Sequence, residues 1–183
     1  MIHIYTGNGK GKTTSAFGLA MRAGGQGLKV VIFQFLKPQS LVTGEEVAAK
    51  KIKNIKVVKY KQMHPIFIAQ GFPRLRSGQA MLKAQGKIKK SIGKAMADAK
   101  RAIFGGKYDM VILDEIINAV DQGFANKKKF IELLKKAPKD TELVLTGRGD
   151  ISEIEGFADY VTIMIDKKHP FRQRVNARKG IEY

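Results

Sequence analysis

The stretch from Tyr5 to Thr14, "YTGNGKGKTT", constrains the fold of this chain more than any other. It follows a short β-type run, "MIHIYT", and leads into "TTSAFGLAMRAGGQG", which reads as a helix closed by glycines. A glycine-rich turn between a strand and a helix directs consecutive backbone N–H groups, and the positive end of the helix dipole, at one anion. Within it Gly7, Gly9 and Gly11 let the backbone curl with no Cβ obstructing phosphates, Lys12 adds a mobile charge, and the Thr13 hydroxyl is placed to bind Mg²⁺. The usual phosphate-loop pattern is Gly, four residues, then Gly-Lys-Ser/Thr; Gly11-Lys12-Thr13 supplies the end, but Thr6 stands where the first glycine belongs. A turn of this kind with no ligand is the bland alternative.

The remaining pattern alternates strands with helices. "KVVIFQFLK" is a near-continuous apolar run, as a parallel strand buried on both faces requires. Thr43-Gly44-Glu45-Glu46 has capping-box spacing and opens a short helix, "EEVAAKK", before a strand in "NIKVVKY". Residues Gln62 to Ser77 hold two prolines and a glycine among apolar residues and read as a long loop. Ala80, Ala84, Ile88, Ile92, Ala95, Ala99 and Ile103 then form one stripe of a long helix, with Lys83, Lys87, Lys90 and Lys94 turned away as a solvated face. "YDMVILDE" (strand), "FIELLKKA" (helix), "TELVLTGR" (strand), "DISEIEGFA" (short helix) and "DYVTIMI" (strand) follow. The expected fold is α/β: a three-layer arrangement like that of P-loop NTPases, a mostly parallel sheet with helices on both faces. With 183 residues, 44% of them hydrophobic, the chain is expected to form one domain over 1–183.

Composition narrows the chemistry. The absence of cysteine removes disulfides, thiolate nucleophiles and cysteine-based metal clusters, and with no signal-like start it fits a soluble protein of a reducing cytoplasm. No apolar run approaches the roughly 20 residues that span a bilayer. The net charge of +18 admits three readings: a solvated lysine-rich surface, an anionic small molecule, or nucleic acid. Its spread along the chain favours the first and makes nucleic acid the least favoured.

Asp114 and Glu115 close an apolar strand, where a P-loop protein places its metal-side carboxylate and, in hydrolases, its water-activating base. Ligands of an open parallel sheet gather at the carboxyl ends of its strands, so this pair and the loop are expected to share one crevice. Capping of the following helix is the alternative role. Thr146-Gly147-Arg148 ends the next buried strand, where an arginine can fork onto phosphate oxygens or simply lie on the surface. His64 and His169 precede prolines and read as structural or solvated, and His3 as packed or hydrogen-bonded on the first strand.

Taken together, "YTGNGKGKTTSAFGLAMRAGGQGLKVVIFQFLK", "TGEE", "YDMVILDEI", "LVLTGRG", "FADYVTIM" and "KHPF" with "GIEY" resemble, in order and spacing, the P-loop ATP:corrinoid adenosyltransferases over nearly the whole chain. The resemblance implies transfer of the 5′-deoxyadenosyl group of ATP to the reduced cobalt of a corrinoid, with release of triphosphate. It also implies a loop that holds ATP in the reverse sense to ordinary NTPases, and Thr6-Gly7 is similar to that family's altered loop. The site it implies has Lys12, Thr13 and Glu115 in catalysis; Gly7, Asn8, Gly9, Lys10, Gly11, Lys12, Thr13, Thr14, Arg22 and Arg148 on the nucleotide; Phe72 toward the corrinoid; and Thr13, Asp114 and Glu115 on Mg²⁺. A reductase to supply electrons and a homodimer come with the family.

Two departures stand out. The family's corrinoid-facing Gly-Phe-Thr-Trp is here Gly71-Phe72-Pro73-Arg74, and the chain has no tryptophan, so Phe72 alone supplies aromatic bulk there. The sequence also opens at the first strand, without the N-terminal helix that some members place near the site. The rival readings are an ATP-driven nucleic-acid-binding P-loop protein and a non-catalytic nucleotide or corrinoid carrier.

Overall fold

The computed structural model describes residues 1–37, 39–61, 78–173 and 175–181. Six strands, β1 (Ile2–Thr6), β2 (Val30–Gln34), β3 (Ile55–Lys59), β4 (Met110–Asp114), β5 (Glu142–Thr146) and β6 (Tyr160–Ile163), form one sheet in the order β3-β2-β4-β5-β1-β6. Every pairing in it is parallel. Strands β2 and β4 are buried along their whole length, which is why both read as unbroken apolar runs.

Helices cover both faces, giving the expected three layers. On one face lie α1 (Lys12–Gly25) and α2 (Gly44–Ala49). Helix α1 presents Ala16, Phe17, Ala20 and Ala23 to Val30, Ile32, Ile112 and Val144 of the sheet. On the other face are α3 (Gly78–Phe104), α4 (Ile116–Asp121) and α5 (Lys127–Lys135). Ala84, Ile88, Ile92, Ala95, Ala99 and Ile103 of α3 are buried there with Phe130 and Leu133 of α5, as the apolar stripe requires, and Lys83, Lys87, Lys90 and Lys94 are exposed. The chain crosses over β4 and β5 between β1 and β2, so the β1 loop opens at a reversal of strand order, where open parallel sheets bind ligands.

Three local expectations change. Thr43 does precede α2, but its side chain makes no cap bond and its Oγ1 is buried without a partner among the described residues. The capping box fails because Glu46 turns instead to Lys59 on β3 and to Lys50, 3.0 Å away. "DISEIEGFA" forms turns and a single 3₁₀ turn at Glu155–Phe157, a length too short to carry an α-helical face. Helix α4, only six residues long, follows Asp114 and Glu115 directly; Glu115 is its N-cap residue, but its side chain makes no cap bond.

Candidate active site

Thr6 is the last residue of β1: it is buried, it pairs with Ile163, and its carbonyl accepts from the Met164 N–H at 2.8 Å. The turn therefore starts one residue later, at Gly7, with φ 95°. A Cβ on Gly7 would lie 2.4 Å from the Met164 carbonyl oxygen, and one on Gly9 would lie 2.9 Å from the Ile165 carbonyl. The Gly9 N–H itself donates to Met164 O at 2.7 Å. These two glycines thus let the loop press against the chain leaving β6. Gly11, at φ 116°, is the N-cap of α1.

Lys12 folds over the turn, its Nζ donating at 2.6 Å to the carbonyls of both Gly7 and Gly9. Burial, then the nearby Arg148 charge, push its pKa down, partly countered by Glu115. Arg148 reaches the loop from the end of β5 and donates to Asn8 O at 3.1 Å. Its backbone N–H donates to Asn118 Oδ1 at 2.7 Å, and Gly147, at φ 146°, leaves no room for a Cβ beside that same oxygen. Lys10 donates to Ile181 O at 2.8 Å, tying the loop to the C-terminal segment, and Thr14 is exposed on the first turn of α1. Arg22 lies in the last turn of α1, about 15 Å along the axis from Lys12. Burial raises the pKa of Tyr5 on β1, and the Arg22 charge acts on it in the lowering direction.

Asp114, at the end of β4, is fully buried. Its Oδ1 accepts from Thr13 Oγ1 at 2.9 Å and Thr146 Oγ1 at 2.8 Å. Its Oδ2 accepts from Gln34 Nε2 at 3.0 Å and Lys37 Nζ at 2.8 Å. These four donors fill the acceptor capacity of a carboxylate. Burial is the largest influence on Asp114 and pushes its pKa up, but the Lys37 charge and the bonds from Lys37, Gln34 and Thr146 outweigh it and hold the group below the usual carboxylate range. Lys37 is pushed down by its own burial and lifted further by Asp114, for a net rise.

Glu115 follows with φ 68°, the one non-glycine residue with positive φ among those described. Its N–H donates to Thr146 Oγ1 at 2.9 Å, so the hydroxyl that supports Asp114 also fixes this left-handed backbone. Burial first, then the Asp114 charge, raise the Glu115 pKa against the opposing charges of Lys37, Lys12 and Arg148. Beyond the loop, toward β6, lies a cavity of about 640 Å³ bordered by Gly7, Asn8, Arg148, Ile165, His169 and Arg172.

The structure thus brings Gly7, Asn8, Gly9, Lys12, Thr13, Asp114, Glu115 and Arg148 to one sheet edge. Phe72, with Gly71, Pro73, Arg74 and His64, lies outside the described residues. Sequence reading missed Gln34 and Lys37; the available signal was a glutamine inside a doubly buried apolar strand and a lysine just past its end. It also set aside His169, which borders the cavity. His3 behaves as expected, bonding Glu142 at 2.8 Å and stacking on Tyr160.

The oxygens present suit Mg²⁺. Thr13 commits its proton to Asp114, which leaves its lone pairs for a cation, and Glu115 is adjacent. Among the described residues no three acidic, histidine or cysteine side chains could hold a metal by themselves.

The comparisons with known proteins place the chain in a family. A model of the family "ATP:corrinoid adenosyltransferase BtuR/CobO/CobP" matches residues 1–183. A corrinoid adenosyltransferase of Escherichia coli (strain K12) is 32% identical over all of this chain and 85% of its own length. One from Pseudomonas aeruginosa is 32% identical over 98% of this chain and 82% of its own length. Among solved structures, a KaiC-like protein of Pyrococcus horikoshii OT3 aligns with a TM-score of 0.48 and 16% identity, over 91% of this chain and 72% of that one. The chain, by its sequence across all 183 residues, belongs to the ATP:corrinoid adenosyltransferase family.

Proposed function

We propose that the site described above carries the family's reaction, in which the reduced cobalt of a corrinoid attacks the 5′-carbon of ATP. The cobalt lone pair forms the new cobalt–carbon bond, the bond from C5′ to its oxygen breaks, and triphosphate leaves with that electron pair. The nucleophile belongs to the co-substrate, so the protein has to align the attack and stabilise a highly charged leaving group. The observation that carries this reading is the distribution of charge: Lys12, Lys37 and Arg148 surround the loop, while Asp114 is saturated by protein donors and has no capacity left to activate water.

In this reading the loop amides, Lys12 and Arg148 grip the triphosphate. Thr13 and Glu115 would hold Mg²⁺, with Asp114 acting through the Thr13 hydroxyl, and the ion would supply positive charge to the leaving triphosphate. The cavity beside β6 gives room to the part of the nucleotide that extends past the loop. Phe72 keeps the role toward the corrinoid that the family pattern implies. A reductase is needed to maintain reduced cobalt, the setting is cytoplasmic, and two copies associate as a homodimer. Among the described residues no helix is long and apolar enough to cross a membrane.

The test is anaerobic incubation with Mg-ATP and chemically reduced cobalamin. Loss of the Co(I) absorbance with stoichiometric triphosphate is expected, whereas phosphate release without a cobalt–carbon bond would refute the proposal. Lys12→Ala is expected to weaken Mg-ATP binding by about 1.5–3 kcal/mol, measured by titration calorimetry.

A further inference from the structure

Lys37 stands where a metal would meet Thr13. Its Nζ lies 3.3 Å from Thr13 Oγ1, on the side left open once that hydroxyl has given its proton to Asp114. The second contact of the ammonium, to Asp114 Oδ2, is shorter at 2.8 Å. The position is built into the backbone. The Phe35 N–H donates to Asp114 O at 2.9 Å, and the Lys37 N–H donates to Phe35 O at 2.7 Å, a tight turn that brings the side chain inward. Only 15% of that side chain is exposed. Beside it, Gln34 gives its amide N–H to Asp114 and leaves its own Oε1 buried without a partner among the described residues, so the neighbourhood already holds one acceptor in excess.

We propose that Lys37 is a resident cation that makes the site accept a divalent metal only when the metal arrives on a triphosphate. The inference rests on the Mg-ATP reading above. A free divalent ion would meet an ammonium already seated on the Thr13 oxygen, an Asp114 carboxylate with no acceptor position left, and Glu115 as the remaining nearby carboxylate. Lys12 and Arg148 add further positive charge around it. Repulsion between an ammonium and a divalent ion at such separations is large in a partly buried site. A triphosphate reverses the balance because its charge draws in both metal and lysine. The longer contact to Thr13 then breaks, and the shorter one to Asp114 persists. Asp114 therefore stays neutralised and the Thr13 hydroxyl stays oriented while the metal takes its place.

The test uses Mn²⁺ as the probe, read by the electron paramagnetic resonance of the free ion, with the full chain and no nucleotide. Wild type is expected to bind Mn²⁺ no better than millimolar, and Lys37→Met to bind it at least about tenfold more tightly. Lys37→Gln keeps a donor to Asp114 and serves the same measurement if the methionine variant does not fold. In parallel, calorimetry of ATP binding is expected to require less Mg²⁺ in either variant than in wild type. Micromolar Mn²⁺ binding by nucleotide-free wild type overturns the inference, whatever the variants do. So does unchanged Mn²⁺ affinity in variants that still bind Mg-ATP, a result that leaves the nucleotide reading intact. Failure of wild type to bind Mg-ATP at all refutes that reading, and this inference with it.

Discussion

At the scale of single residues, the buried pair of Asp114 and Lys37 shows how the site is held before any ligand reaches it. Removing one partner of such a pair strands the other's charge, so Asp114→Asn is expected to lower stability by about 3 kcal/mol at neutral pH. The pH dependence follows from the direction of the shift. Because the folded Asp114 pKa is depressed, its stabilisation is complete above the unfolded value near 3.8 and is lost as pH falls through the lower folded value. Thermal denaturation from pH 7 to pH 2 is therefore expected to show the gap between wild type and Asp114→Asn closing only below about 3.8. A gap that stays constant through that range would mean that Asp114 is not the charged group described. Lys37 works in the opposite sense: its raised pKa gives stability that is complete below 10.5 and lost only as pH rises through the folded value.

At the scale of elements, the glycines of the loop and of α1 separate two kinds of constraint. Gly7 has a left-handed φ and a backbone oxygen where its Cβ would go, so Gly7→Ala is expected to cost about 2–5 kcal/mol and to lower the melting temperature. Gly18 is exposed on α1 with nothing within 4 Å of its Cβ position, and Gly18→Ala is expected to gain about 0.5–1 kcal/mol in the same melts. The long-period features were legible because burial imprints them: the unbroken runs of β2 and β4, and the alanine–isoleucine stripe of α3. The loop and its Gly-Lys-Thr were legible because phosphate chemistry demands those residues at that spacing. Lys37 was not, because a single lysine after a strand looks like any other in a chain with 34 lysines and arginines. Its meaning comes from Asp114, 77 positions away in sequence, and from Thr13, 24 positions away. Likewise the capping box at Thr43 was a sound local inference overruled by a partner on another element, Lys59.

At the scale of the whole molecule, the net charge of +18 is carried by surfaces such as the lysine face of α3 as well as by the loop edge, which suits a solvated exterior around an anion-binding crevice. The strand order has a further consequence, one that concerns time. Strand β1, which carries the loop, pairs with β5 (Ile2 with Leu143) and with β6 (His3 with Tyr160), both far later in the chain. A chain emerging from the ribosome therefore makes the loop sequence well before the two strands that hold it. Pairings of such long sequence separation form late, because the loop between them must close first. ATP is accordingly expected to give no protection from proteolysis to nascent chains stalled before residue 140, and to protect those released after β6 has emerged. Protection of the shorter chains would show that the loop can be shaped without its neighbours. On this reading the nucleotide stabilises only finished molecules and gives no help to the segments that fold on the way.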